Sequence, residues 1–431
     1  MSARPVPLRL LSFAIFLLAV SIRVAWLPTM SRADLTSNTV TPDGHRSFDE
    51  CINVALALYN GNGFADPFWG GLTGPSAHCA PAFPAVTAAI FAVFGPDDAG
   101  ALARDMLNIA GYALVFALLP LFSASLGMTA TPGLVAGFAA ALFPLYGQRE
   151  MSRGRDEWLA ALIGVLLMLY ALRLARREPL TRRSALAYGA GWGALMYVHP
   201  AMVVILPLHM LVVLFARVRP RAQRMAFAGG VTGAFLLVIL PWIVRDRIVM
   251  GGWMFMRDDV GMELEVSNGD GATSTVQANL ATGWFCSQHP NCSHPVAVRI
   301  LATGEREFNR QAMATAISWI ESHPARFADL TVRRVMAFWI GERSEPGRLV
   351  LRAVLLLLGL AGFRLMWRGG LRIEAALLGA FWIAYPAAFY LIQRIDRYQA
   401  PMYPALLLPA GFASVALWRS LRKNRLADSQ S

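Results

Sequence analysis

The chain has 431 residues, 56% hydrophobic and 15% charged, with 39 Lys and Arg against 27 Asp and Glu for a formal charge of +12. Repeated apolar runs near the ~20-residue length that crosses a bilayer exclude an ordinary soluble domain and predict an all-α polytopic membrane protein. No aromatic-interleaved basic patch or lysine-rich tail occurs, so the excess charge reports orientation and lipid headgroups and not nucleic acid.

Hydropathy predicts spans at 7–28, 103–126, 130–147, 157–175, 184–199, 200–217, 225–245, 347–366, 373–392 and 399–418. The first reads as a retained span and not a cleaved leader, because it is long, carries Arg23 near its far end and lacks a small-residue cleavage site. Segment 80–95 is apolar but short. Charge decides its status: Arg173, Arg176, Arg177, Arg182 and Arg183, then Arg217, Arg219, Arg221 and Arg224, then Arg364, Arg368 and Arg372, and finally Arg419, Arg422, Lys423 and Arg425 share a side with Arg4 and Arg9 only if 80–95 does not cross. That side is then cytoplasmic by the positive-inside rule, giving ten spans with both termini inside. The organisation expected is a transmembrane module over 1–245 with a first external loop at 29–102, a second external loop region at 246–346, and C-terminal helices with a cytoplasmic tail over 347–431. Cys51, Cys79, Cys286 and Cys292 all fall in these loops, where they are either disulfides, Cys286 with Cys292 as the local pair, or free thiols. His289 and His294 lie beside the second pair without a standard zinc spacing.

Beyond the first span the chain reads SFDECINVALALYNGNGF. Ser47 and Glu50 have capping-box spacing; Phe48, Ile52, Ala55, Leu56 and Tyr59 recur at helical spacing, and Gly61 and Gly63 end the run. A short amphipathic helix lying on the membrane surface is expected. It would hold the Asp49 carboxylate where a lipid-borne leaving group sits; the bland alternative has Glu50 capping and Asp49 only favouring the helix's positive end. A second acidic segment, REMSRGRDEW at 149–158, sets Asp156 and Glu157 beside Arg149, Arg153 and Arg155 on the side where cations are not expected. Cations kept outside suit a phosphate, since guanidinium forks match its oxygens; a self-neutralised loop is the alternative. Arg245 in PWIVRDR and Arg394, Arg397 and Tyr398 in QRIDRYQAPMYP also lie at external span ends, where they either bind phosphate or snorkel. His78, in GPSAHCAPAFP, is a candidate for the phosphate or the acceptor, whereas His199, in YVHPAM, reads as a helix-end hydrogen-bonding residue.

The order of these motifs resembles the GT-C glycosyltransferases of family 39, relatives of which include protein O-mannosyltransferases and lipid A aminoarabinose transferases. The likeness runs from the acidic pair with its GNGF helix end, through GPSAHCAPAFP and Arg104 and Asn108 of the second span, to RDEWLAAL, PWIVRDRIVMGGW, HPARFADLTVRRVMAFW and RYQAPMYP. It implies a GT-C-like fold and transfer of a hexosyl or pentosyl group from a polyprenyl-phosphate donor to a glycan, lipid or protein acceptor on the external face of the cell membrane. By position Asp49 resembles the catalytic aspartate, Asp156 or Glu157 the second-loop carboxylate, and Arg245, Arg397 and Tyr398 the donor-phosphate region; Glu50, Arg149 and Arg155 flank these. Asp246 stands where many relatives have Asn, and Ala80-Pro81 where some have Lys-Pro or Pro-Pro. The sequence leaves open whether a divalent cation assists. A transporter would show paired halves with broken helices and mid-span charges, which are not seen; an O-antigen ligase-like enzyme fits the motif order less well.

Overall fold

The computed structural model describes residues 7–27, 49–68, 73–143, 155–176, 179–341 and 346–428. Among them there are only helices and two isolated bridges, Ala65 with Pro75 and Thr275 with Arg394. Six helices are long and apolar enough to cross a membrane: Leu8–Trp26, Asp98–Ser125, Glu157–Arg176, Arg221–Val249, Gly347–Arg368 and Asp396–Leu426. The remaining predicted spans form shorter helices, Ala130–Leu142, Arg182–Val198, Pro200–Phe215 and Arg372–Ile383. Their shortness has local causes. Pro200 separates the two halves of the apolar stretch 184–217, and Pro386 turns the chain into a 3₁₀ segment, Tyr385–Phe389, just after Ile383. Segment 80–95 is a 13-residue helix, Ala82–Phe94, below spanning length.

The bundle closes on small residues, because lipid supplies no hydrophobic drive between helices and close van der Waals approach must do so. Helix Arg182–Val198 packs along Arg221–Val249, and a Cβ on Gly189 would stand 2.2 Å from the Val231 carbonyl oxygen. Gly411 likewise meets the Pro132 carbonyl and Gly362 the Pro409 carbonyl. Arg23, buried at the end of the first helix, donates to the carbonyls of Ala140 and Ala141, and so satisfies the C-terminal end of helix Ala130–Leu142.

Above the bundle the two large loops share a small core. Phe68 of the first loop packs with Met262, Val266, Ile300 and Phe308 of the second. The second loop is then tied to the chain before the last helix: the Val276 amide donates to the Arg394 carbonyl at 3.1 Å, the Arg394 amide to Ser274 at 2.9 Å, and Asn279 to the Gln393 side chain at 2.8 Å. These ties place the segment that carries Arg397.

Two expectations about the first loop are corrected. Ser47 lies outside the described residues, and helix Glu50–Tyr59 is capped by Asp49, whose side chain accepts from the amides of Cys51 and Ile52. Glu50, at the first helical position, is therefore free of capping duty. The helix is also not laid out amphipathically on a membrane surface. Residues Cys51 through Ala57 are all buried, packed on helix Ala82–Phe94 and stapled to it by a Cys51–Cys79 disulfide. Both cysteine pairs are disulfides, Cys286–Cys292 being the second.

Candidate active site

Four separated segments converge at the upper end of the bundle. Asp49 and Glu50 are brought there by the buried helix start, and Arg155 reaches both: Nε donates to Asp49 Oδ2 and Nη2 to Glu50 Oε2, each at 2.8 Å, while Nη1 lies 3.3 Å from Cys51 Sγ. A single planar guanidinium thus spans two adjacent carboxylates. Arg155 is held in turn by its own backbone, whose amide donates to Glu157 Oε2 at 2.7 Å. Glu157 opens helix Glu157–Arg176, is 1% exposed, and accepts from Arg397 Nη1 at 2.8 Å. Arg397 lies in the 3₁₀ segment Asp396–Met402 with Tyr398 beside it, 5.7 Å from guanidinium carbon to ring centre, and Tyr398 stacks on Phe389 at 4.4 Å. Asp156 is 3.8 Å from His199 Nδ1, and His199 Nε2 is 3.0 Å from the Tyr385 hydroxyl.

Two of these carboxylates, Glu50 and Asp156, are held in the ionised form. Burial alone would raise Glu50, but Arg155 and His289 more than offset it and hold the group below the usual carboxylate range. Asp156 is likewise raised by burial and lowered further by its hydrogen bond and charge interaction with His199, ending below its ordinary value. Burial and the nearby Arg397 would lower Arg155, but Asp49 and Glu50 raise it, so it stays charged.

The other candidates are placed differently. Arg245 donates to the carbonyls of Ser76 at 2.6 Å and Phe64 at 2.9 Å and to Asp246 Oδ1 at 2.8 Å, and its guanidinium lies 5.3 and 5.1 Å from the ring centres of Phe64 and Trp242. It braces the first loop against helix Arg221–Val249 and does not join the four carboxylates. His78 is buried edge-on to Phe68; burial pushes its imidazole down to about 3, so it is neutral and brings no charge to an anion. Arg149 lies outside the described residues. His199 and Tyr385 were under-read from sequence, the former because it sits in an apolar run beside proline. Two residues join the site that the sequence does not point to, Asn291 and, considered from sequence only for its zinc spacing, His289: Asn291 Nδ2 donates to Glu50 Oε1, and His289 Nε2 stands 3.8 Å from the same oxygen.

Among the described residues no three His, Cys, Asp or Glu side chains converge as a metal set. Each of the four acidic groups is engaged by a basic side chain, Asp49 and Glu50 by Arg155, Asp156 by His199 and Glu157 by Arg397. The arrangement as described pairs carboxylates with cations. What it can do is accept a proton at an ionised carboxylate and stabilise an anion with guanidinium groups.

No family model and no curated protein sequence matches the chain. Solved structures do. The chain is similar to the oligosaccharyltransferase of Archaeoglobus fulgidus tethered to an acceptor peptide containing the NVT sequon, at TM-score 0.56 and 13% identity over 96% of this chain and 50% of that one. It is similar to the apo form of that protein at TM-score 0.55 and 13% identity, over 97% and 52% of the two chains. A third structure, the Archaeoglobus fulgidus oligosaccharyltransferase AglB with an inhibitory peptide and a dolichol-phosphate, matches at TM-score 0.52 and 12% identity, over 97% and 52%. The chain spans about half the length of these neighbours. At this identity the likeness is one of fold: the chain is an all-helical membrane protein with the GT-C fold.

Proposed function

We propose that this protein is a membrane glycosyltransferase that moves a hexosyl or pentosyl group from a polyprenyl-phosphate sugar to a glycan, lipid or protein acceptor, in the manner of the family 39 enzymes its motifs resemble. The observation that carries the reading is the bridge of Arg155 across Asp49 and Glu50, joined through Glu157 to Arg397, on a GT-C fold. A neighbour of that fold is solved with a dolichol-phosphate, which supports a lipid-linked donor.

In this reading Asp49 takes the proton of the acceptor hydroxyl as its oxygen bonds to the anomeric carbon. The carbon–oxygen bond to phosphate breaks, and the donor phosphodiester, with one negative charge, leaves as a phosphomonoester carrying nearly two. Arg155 and Arg397 face that added charge, which a low-dielectric site stabilises strongly. As the phosphate gains charge it competes with Asp49 for Arg155, so release of the base and capture of the leaving group are the same movement. Asp156 with His199, and Tyr398, line the remainder. Arg245 is assigned to bracing the first loop, since three of its five N–H donors go to Ser76, Phe64 and Asp246. The arginine-rich segments 173–183 and 217–224 support a cytoplasmic side opposite the site, and hence an external or periplasmic active face in the cell membrane.

The test is a donor panel. Purified protein in lipid vesicles is given polyprenyl-phosphate sugars and extracted envelope acceptors, and free polyprenyl phosphate is measured. Release with at least one hexosyl or pentosyl donor is expected; no release from any, with the protein folded, would sink the reading.

A further inference from the structure

The short ring closed by the Cys286–Cys292 disulfide, expected from sequence only as a local cysteine pair, delivers two side chains to the acidic pair. Within it, His289 is stacked on Phe285 at 4.4 Å and packed edge-on to Phe68 of the first loop, with only 2% of its surface exposed. The Asn291 amide donates to His289 Nδ1 at 3.2 Å, which fixes the imidazole proton on Nε2, the nitrogen facing Glu50. Asn291 itself is 2% exposed and donates its side-chain amide to Glu50 Oε1. Both oxygens of Glu50 are thereby committed, one to the ring and one to Arg155.

We propose that Asn291 and His289 are positioning residues of the transferase site, presented by the disulfide-closed ring, and that they act through Glu50 to set where Arg155 lies between Glu50 and Asp49. This rests on the function proposed above. Asn291 reaches the pair through Glu50. By holding Glu50 Oε1 it turns Oε2 toward Arg155, and Arg155 in turn aims Nε at Asp49. The charged and titratable groups around Glu50 are Arg155 from the start of the second acidic segment, His289 from the ring, Asp49 beside it, and Glu263 from helix Val260–Ser267. Burial keeps His289 neutral, down to about 4, so the ring contributes donors and not a full charge. Removing the Asn291 donor therefore makes Glu50 easier to protonate, and once Glu50 is neutral Arg155 is drawn onto Asp49 alone.

The experiment uses the full chain in vesicles. Asn291→Ala and Asn291→Asp should lower kcat by roughly 10- to 100-fold with a smaller change in donor KM, since a hydrogen bond to a charged group is lost. Both should move the acid limb of the pH–rate profile upward by about one to two pH units, the isosteric Asp variant more because it adds a like charge. Ser287→Ala, on the exposed side of the same ring, should do neither. A Cys286→Ala/Cys292→Ala variant should move the limb in the same direction, and adding Asn291→Ala to it should cost little more, as expected for one pathway of action. An unshifted acid limb in Asn291→Asp, or losses that simply add, would overturn the proposal. Hydrogen exchange of residues 284–293 provides a readout without turnover: exchange should speed up in Glu50→Ala, and unchanged exchange overturns the docking. Were no donor turned over by wild type while exchange still coupled Glu50 to the ring, the function reading would fail and the docking would stand.

Discussion

The bundle and the cluster above it are built by opposite means. Below, helices meet through glycine on backbone, as at Gly189 against Val231 and Gly411 against Pro132, with few polar atoms to satisfy. Above, short helices and loops are held by two disulfides, a shared apolar core around Phe68 and a run of ion pairs from Asp49 to Arg397. Shape complementarity fixes the first region, and specific bonds between distant residues fix the second. A change in the bundle should therefore be felt as stability and a change in the cluster as chemistry.

Asp49→Asn is the sharpest way to separate the two. Asn is as good a helix cap as Asp, so the bonds to the Cys51 and Ile52 amides can persist while the base is lost. Polyprenyl phosphate release should fall by ~10² to 10⁴ with little change in melting temperature; a variant that keeps near-full turnover moves the base to Glu50, Asp156 or Glu157. Next in size, opening the staple with Cys51→Ala and Cys79→Ala should cost about 3 kcal/mol of stability, by the entropy of the loop it closes. Activity should fall with it, because the staple carries the helix start that presents Asp49. If turnover per folded molecule survived, the ion pairs alone would be holding the site.

In the bundle, Gly189→Val should lower stability by ~1–3 kcal/mol through overpacking and leave kcat per folded molecule unchanged. A fall in kcat there would blur the distinction between the regions. The smallest effect is expected at their edge. Glu305 accepts from the Ala77 amide at 2.8 Å, and burial pushes its carboxyl up to about 8. A carboxyl raised in the fold binds its proton more tightly there than in the unfolded chain, so its contribution is complete below about 4.5 and is lost as pH rises toward 8. Glu305→Gln should flatten that decline in melting temperature between pH 5 and 8, by at most the slope of about one proton. An unchanged slope would assign the decline to Asp258 or Glu263, whose carboxyls burial also raises, each to about 7.

The same division governs what the sequence shows. Apolar runs predict five of the six long helices to within about five residues and stop the last at 418, short of Leu426, because its end is charged; the alternation of arginine loops with apolar segments is a local pattern that any window reports. Asp49, Glu50, Arg155, Glu157 and Arg397 were visible because charges stand out at the ends of apolar runs. Their pairing was not, since Arg155 and Asp49 are 106 residues apart and Glu157 and Arg397 are 240. Asn291 and His289 gave no signal, as an Asn and a His in a polar loop are ordinary until the loop is folded onto Glu50. The reading of Glu50 as the cap failed for a smaller reason: Asp49 can serve as cap one residue before the helix, and spacing alone does not say which acid the helix begins behind.

The chain of contacts through Arg155 also has an order in time. Synthesis proceeds from the N-terminus, so the acidic pair emerges first, its arginine roughly a hundred residues later, the Asn291 ring next, and Arg397 only when the chain is nearly finished. Until then the acidic pair has Arg155 beside it but not Arg397, the second guanidinium of the set. On the proposed function, a nascent or truncated chain holds an incomplete set of cations, and the set is completed only with the segment that leads into the last helix.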